Sequence, residues 1–141
     1  MPGRSKSLTL DAKAESLGPI TEFVTNGARE AKLPESRIHE LELLIEEILM
    51  NIARYSYSEG APGTVTITYS VPEQGELAVE IGDQGVAFDP LKSDWPDLTS
   101  DLSRRPVGGL GILLVRSFAK SLTYRREQGW NRLRIGISAS L

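Results

Sequence analysis

Hydrophobic residues recur at helical spacing in two segments of the first half of the chain. In the first segment they are Leu17, Ile20, Phe23, Val24 and Ala28, and in the second they are Ile38, Leu41, Ile45, Ile48 and Ile52. Repeats of three and four residues place side chains on one side of a helix, so the pattern predicts two helices that each bury one face. Residues 31–36, which include Pro34, predict the break between them.

Alternation of polar and apolar residues predicts five strands. Residues 7–10 form a short alternating run, which predicts a first strand at an edge of the sheet. Residues 64–71 and 77–81 alternate on either side of a Pro-Glu-Gln-Gly turn and predict an antiparallel hairpin. Residues 122–126 and 133–137 alternate around a Gln-Gly turn, and they predict a second hairpin that closes the chain.

The order of the predicted elements indicates the fold class. It is strand, helix, helix, two strands, a long loop, helix and two strands. This order predicts an α+β fold, a two-layer sandwich whose mixed, mostly antiparallel sheet carries the helices on one face. The length of 141 residues predicts one domain spanning residues 1–141. The long loop, residues 89–107, lacks sustained periodicity, and we interpret it as a lid.

Composition and charge exclude several classes of functional site. The chain has no cysteine and a single histidine, which excludes a disulfide framework, a thiolate metal site and a Ser-His-Asp triad. A net charge of -3 gives no electrostatic case for nucleic-acid binding, and the arginines at 125, 126, 132 and 134 are predicted to form a solvated strand face. No apolar run reaches membrane-spanning length and no leader pattern is seen, so we expect a cytoplasmic protein without a membrane partner.

Two polar residues near the end of the second predicted helix are candidates for binding or catalysis. Glu47 and Asn51 are four positions apart and stack on one side of a helix, whereas Glu46 points in a different direction. An amide oxygen can hold Mg²⁺ while a neighbouring carboxylate orients or deprotonates a nucleophile. The alternative is that both side chains lie on a wet helix face or pair with a neighbouring loop.

A second candidate stands where the strand of residues 77–81 ends. Asp83 is followed by Gln84 and Gly85. A carboxylate at a strand end can accept a hydrogen bond from a ligand amino group, such as the exocyclic amine of adenine, while glycine lets the ligand approach the backbone closely. The alternative is an ordinary Asp-x-Gly turn.

A third candidate is the glycine-rich entry to the last predicted helix, residues 108–119. Glycines at a helix start expose backbone N–H groups, which together with the helix dipole can bind phosphate oxygens. The run lacks the Gly-Lys-Ser/Thr ending of a Walker loop and the glycine spacing of a dinucleotide fingerprint. In the preceding loop, Trp95 either packs the loop on the body of the domain or stacks on a ligand.

The three candidates follow one another as Glu47-x-x-x-Asn51, Asp83-x-Gly85 and Gly109-x-Gly111. In this order they resemble the GHKL ATPases, whose Bergerat fold is the histidine-kinase-like ATPase fold. The resemblance implies that Glu47 is the general base, that Asn51 holds magnesium and that Asp83 binds the adenine amine. Other implied nucleotide-binding positions lie in the two loops: Gly85, Ala87, Phe88, Gly108, Gly109, Leu110, Gly111 and Ile112.

Within that family the chain is similar to the anti-sigma-factor serine/threonine kinases of the RsbW and SpoIIAB type. The resemblance implies ATP and Mg²⁺ as cofactors, phosphorylation of a serine on a STAS-type anti-sigma factor antagonist, binding of a sigma factor and a homodimer. The alternative is a non-catalytic, ATP-binding partner-switch module that sequesters a sigma factor or other regulator. The chain departs from the usual pattern of these relatives in three places. Ala87 stands where a glycine is often found, and Tyr55 stands where many relatives have histidine. The threonine that relatives often place near adenine on a late strand has no match in this sequence.

Overall fold

The computed structural model describes residues 5–53, 63–87 and 119–139. The elements in chain order are β1 (Ser5–Asp11), α1 (Leu17–Glu30), α2 (Glu35–Asn51), β2 (Thr64–Ser70), β3 (Glu76–Asp83), β4 (Ser121–Glu127) and β5 (Trp130–Ser138). Both helices and all five strands occur where the periodicity predicts them. The lid predicted at residues 89–107 and the helix predicted to start at Gly108 lie outside the described residues.

The five strands form one sheet in the order β1-β2-β3-β5-β4. All four pairings between them are antiparallel. The two predicted hairpins are confirmed, and β1 lies at an edge of the sheet as expected. The pairing of β3 with β5 brings together segments that are far apart in the sequence, and its register sets Asp83 opposite Asn131.

The core lies between the sheet and the two helices, which confirms the two-layer α+β class. Inward side chains of the three central strands are buried, and they are Val65, Ile67, Tyr69, Leu77, Val79, Ile81, Leu133, Ile135 and Ile137. Each buried Val, Leu or Ile contributes roughly 1.5–3 kcal/mol relative to exposure. On the opposite face, hydroxyls pair across β1 and β2, as between Thr9 and Thr66 at 2.9 Å.

The loop between the helices closes α1 tightly. The Leu33 N–H donates to the Ala28 carbonyl at 3.0 Å, and Lys32 adopts a left-handed conformation with φ 59°. This arrangement is the usual way of satisfying carbonyls at a helix C-terminus. Pro34 then precedes α2, where its fixed φ and missing N–H are tolerated. Within the described ranges, neither helix has the length and apolar composition needed to cross a bilayer.

Tyr69 joins the sheet to α1. Its hydroxyl donates to Glu30 Oε1 at 3.1 Å, and Lys6 Nζ on β1 donates to the same oxygen at 2.7 Å. The hydrogen bond from Lys6 lowers the pKa of the Glu30 carboxyl, and burial raises the pKa of the Tyr69 phenol. The Tyr69 ring also lies against Phe23, with ring centroids 4.9 Å apart, and against Gly27.

Gly27 is the position on α1 where the helix meets the Tyr69 ring most closely. A Cβ at this position would lie 2.7 Å from Tyr69 Cδ1. Alanine favours a helix over glycine by about 1 kcal/mol, but overpacking a core costs about 1–3 kcal/mol. We therefore expect Gly27→Ala to lower the free energy of unfolding, measured by urea denaturation.

Gly18 provides the matched control on the same helix. A Cβ at Gly18 would meet no atom within 4 Å, so Gly18→Ala should leave stability unchanged or raise it by about 0.5–1 kcal/mol. Equal urea midpoints for Gly27→Ala and Gly18→Ala would contradict the close approach of α1 to the Tyr69 ring.

Candidate functional site

Glu47 and Asn51 lie near the C-terminal end of α2. Asn51 is the last residue of the helix and its side chain is buried, with 4% of the residue exposed. Glu47 is half-buried, and its Oε2 is inaccessible to solvent. The alternative that Asn51 lies on a solvated helix face is therefore wrong, because its side chain lies on the buried face of α2 together with the apolar residues.

The buried Asn51 carboxamide has a hydrogen-bonding atom that is not satisfied by the described residues. Its Nδ2 has no hydrogen-bond partner among the described residues. A buried polar atom without a hydrogen-bond partner lowers the stability of the fold by about 1–3 kcal/mol. Rotation of the amide by 180° exchanges its nitrogen and oxygen, so the oxygen could equally stand at this position. The described residues hold no cluster of three or more acidic or histidine side chains that could cage a cation. Mg²⁺ is commonly held by one or two protein oxygens together with phosphate oxygens of a nucleotide, so a single amide oxygen could be a ligand here.

Asp83 ends β3 and is 3% exposed. Its Oδ1 accepts the Gly85 backbone N–H at 2.9 Å and Asn131 Nδ2 at 3.0 Å. The Asp-x-Gly turn, considered above as the alternative to a ligand site, is therefore present. It does not exclude ligand binding. Both of these hydrogen bonds end on Oδ1, and the second carboxylate oxygen, Oδ2, is also an acceptor.

Asn131 on β5 is a neighbour of the candidate residue Asp83 that the sequence pattern did not single out. It lies opposite Asp83 in the sheet register and is 5% exposed. Its Nδ2 also donates to the Val86 carbonyl at 2.8 Å, and its Oδ1 accepts the Tyr124 hydroxyl at 2.5 Å. A signal was available, since Asn131 is a polar residue in phase with the buried apolar positions of β5.

Arg126 is exposed, as predicted for the arginines of the last hairpin, but it also makes a contact that the sequence pattern did not predict. Its guanidinium donates to the Gly85 carbonyl at 2.7 Å. The neighbouring Arg125 is exposed too, and it pairs instead with Glu127 at 2.7 Å and Glu80 at 3.3 Å. The difference follows from strand geometry, because successive side chains of β4 point to opposite faces and Arg126 shares its face with Tyr124.

The described part of the chain thus brings several predicted site residues into two groups. One group is the Glu47 and Asn51 pair, one turn apart on α2. The other is the loop from Asp83 through Gly85 to the exposed Ala87, which the last hairpin contacts. The remaining predicted positions lie outside the described residues, and they are Phe88, Gly108, Gly109, Leu110, Gly111 and Ile112.

Comparison with known proteins identifies the family to which this fold belongs. A model of the histidine kinase-like ATPase domain matches residues 10–137, so the chain belongs to this family. Membership of an ATPase family implies the use of ATP.

Three curated proteins illustrate the range of its relatives. The chain is 34% identical over 93 residues to the serine/threonine-protein kinase BtrW of Bordetella bronchiseptica, a match covering 66% of this chain and 65% of BtrW. It is 27% identical over 125 residues to the anti-sigma F factor of Clostridium acetobutylicum, covering 84% and 81% of the two chains. A third match, 33% identical, spans 24% of blue-light-activated histidine kinase 2 of Erythrobacter litoralis and 58% of this chain. The chain therefore spans under two thirds of BtrW and about a quarter of that histidine kinase.

Solved structures support the same fold. The RsbU and RsbW domains of a Mycobacterium tuberculosis protein superpose with a TM-score of 0.66 at 13% identity, covering 97% of this chain and 33% of that one. The EL346 blue-light activated histidine kinase of Erythrobacter litoralis gives a TM-score of 0.57 at 25% identity, covering 77% of this chain and 32% of that one. These matches confirm the predicted histidine-kinase-like ATPase fold.

Proposed function

We propose that this chain is an ATP-dependent serine/threonine kinase that acts as an anti-sigma factor in a partner-switching system. The observation that carries the proposal is the pairing of Glu47 with the buried Asn51, one turn apart on α2. The names of two relatives, a serine/threonine-protein kinase and an anti-sigma factor, support the same assignment.

Asp83 and Asn51 would hold the two ends of the nucleotide. The Asp83 carboxylate would accept a hydrogen bond from the adenine amine, with Gly85 admitting the base. The Asn51 amide oxygen would hold Mg²⁺, which neutralises phosphate charge when it is bound. The phosphates would lie against backbone N–H groups of residues 108–112, with Ala87 and Phe88 near the base.

Glu47 would act on the protein substrate. The hydroxyl oxygen of a substrate serine attacks the γ-phosphorus, the bond from that phosphorus to the bridging oxygen breaks, and ADP leaves. The serine proton passes to the Glu47 carboxylate. Because phosphoryl transfer needs mainly positioning and charge stabilisation, one aligned carboxylate is sufficient acid–base machinery. Exclusion of water by a lid at residues 89–107 would limit hydrolysis of ATP.

The remaining parts of the proposal concern the whole protein. The substrate would be a STAS-type anti-sigma factor antagonist, and the competing partner a sigma factor. A homodimer that covers the outer edge of β1, an edge strand among the described residues, would protect the backbone groups of that strand. One domain over residues 1–141, working in the cytoplasm, is consistent with these partners.

The test combines nucleotide binding with phosphoryl transfer. Calorimetric titration of ATP with and without Mg²⁺ should show tighter binding with the metal. Incubation with γ-labelled ATP and purified STAS-type antagonists should then label a serine. Asn51→Ala should weaken binding in Mg²⁺ by roughly tenfold, equivalent to about 1.4 kcal/mol for one lost ligand contact, and should leave binding in EDTA unchanged.

Asn26→Ala is the matched control, since Asn26 is exposed on α1. It should bind and label as wild type does. Equal affinity of Asn51→Ala and wild type in Mg²⁺ would refute the metal assignment. ATP binding without label transfer to any antagonist in the panel would favour the non-catalytic partner-switch module.

A further inference from the structure

The hairpin of β4 and β5 contacts the Asp83–Val86 loop through hydrogen bonds to three of its four residues. Asn131 Nδ2 donates to Asp83 Oδ1 at 3.0 Å and to the Val86 carbonyl at 2.8 Å, and Arg126 donates to the Gly85 carbonyl at 2.7 Å. These partners are 41 to 48 positions apart in the sequence. Bonds of this span hold the loop against the sheet at the end of β3.

The orientation of the Asn131 carboxamide is determined by its neighbours. Both groups at Nδ2 are acceptors, the Asp83 carboxylate and the Val86 carbonyl, so the nitrogen must face them. The group at Oδ1 is the Tyr124 hydroxyl, which donates. Exchange of the amide nitrogen and oxygen would set an acceptor against two acceptors, and the amide is therefore fixed in one orientation.

A fixed Asn131 amide also fixes the Asp83 carboxylate. Two donors converge on Oδ1, from Gly85 and from Asn131, and rotation of the carboxylate would break both hydrogen bonds. Oδ2 is then held in one direction, and no described residue donates to it. A fixed acceptor discriminates between a ligand that presents an amino group and one that presents a carbonyl oxygen.

We propose that Asn131 is a positioning residue for base recognition, which aims Asp83 Oδ2 at the amino group of adenine. The inference rests on the proposed function, since binding of adenine by Asp83 is part of it. Tyr124 acts through Asn131 by fixing the amide, and Arg126 acts beside it by holding the Gly85 carbonyl. Preorganisation of this kind raises affinity by lowering the ordering cost of binding.

The test compares ATP with ITP, which carries a 6-oxo group in place of the 6-amino group. Titration calorimetry in Mg²⁺ gives the ratio of the two affinities for each variant. Asn131→Ala should reduce ATP affinity about tenfold while ITP affinity changes by no more than about twofold, because only the amino group uses the aimed oxygen. A merely structural role would weaken both nucleotides alike and leave the ratio unchanged.

Tyr124→Phe tests the same inference with a conservative change. It removes the hydroxyl that fixes the amide but keeps the ring, and urea unfolding will show that the domain remains folded. We expect the ATP to ITP ratio to fall by about threefold to fivefold, because the amide loses a hydrogen bond that helps to hold it. This variant keeps the inference testable even where Asn131→Ala fails to fold.

Adjacent arginines on β4 supply a matched pair. Arg126→Met should weaken ATP binding about threefold, because the Gly85 carbonyl loses a charged donor. Arg125→Met removes the same charge from the opposite face, where Arg125 pairs with Glu80 and Glu127, and should leave the affinity unchanged. Equal losses in both variants would show a general effect of charge and overturn the role given to Arg126.

The outcomes separate this inference from the function on which it rests. A wild-type protein that binds ITP as tightly as ATP would refute adenine recognition by Asp83. A wild-type preference for ATP that Asn131→Ala and Tyr124→Phe both retain would refute the positioning role and leave the proposed function intact. Loss of the preference in both variants supports the inference.

Discussion

Replacement of Glu47 by alanine is expected to lower the rate of serine phosphorylation by about 10²- to 10⁴-fold, the range that a positioned general base contributes. Affinity for Mg-ATP should change by no more than about threefold, because the carboxylate acts on the substrate hydroxyl and Asn51 holds the metal. The measurement is label transfer from γ-labelled ATP to a STAS-type antagonist, with nucleotide affinity determined separately by calorimetry.

Glu46→Ala is the matched control for this variant. Glu46 is the preceding residue of α2 and is exposed, so it carries the same charge in a different direction. It should transfer label at the wild-type rate. Glu47→Gln tests the chemistry further, since it keeps the shape but cannot take up a proton. Unchanged transfer by Glu47→Ala alongside a functional wild type would show that the acid is not the base.

Local pattern was enough to predict the secondary structure of the described chain. The buried face of α2 follows from Ile38, Leu41 and Ile45, which recur at helical spacing. The two hairpins follow from alternation on either side of short turns. In each case one face of the element is buried in the core, and burial of one face leaves a visible period in the sequence.

The candidate site could be derived from the sequence only where its residues are close together in the chain. Glu47 and Asn51 are related by one helical turn, and Asp83 and Gly85 by a two-residue turn, so their spacing alone brings each pair together. The contact of Asn131 with Asp83 depends instead on β5 lying beside β3, although β4 precedes β5 in the chain. The strand order is a tertiary property, and no spacing in the sequence encodes it.

The turn at Asp83 also shows that two interpretations of one motif need not compete. The backbone N–H of Gly85 occupies one carboxylate oxygen, as in an ordinary Asp-x-Gly turn. That hydrogen bond is part of what directs the other oxygen. A structural turn and a ligand contact can therefore use the same side chain, one oxygen each.

This division of oxygens leads to the second large effect, a change of base preference in Asp83→Asn. The amide oxygen should take the place of Oδ1, because the donors of Gly85 and Asn131 both require an acceptor there. The amide nitrogen then replaces Oδ2 and sets a donor against the adenine amine. One buried donor without an acceptor costs about 1–3 kcal/mol, so we expect ATP affinity to fall roughly 5- to 150-fold.

The same change should favour ITP, whose 6-oxo group accepts the hydrogen bond that the new amide nitrogen donates. We therefore expect calorimetric titration to show ITP bound at least as tightly as ATP, a reversal of the wild-type preference. Asp11→Asn is the matched control, because Asp11 is an exposed aspartate at the end of β1 and should retain the preference for ATP. Weaker binding of both nucleotides without reversal would contradict the assignment of Oδ2 to the base, since a carboxylate that only stabilises the loop has no means of exchanging one preference for the other.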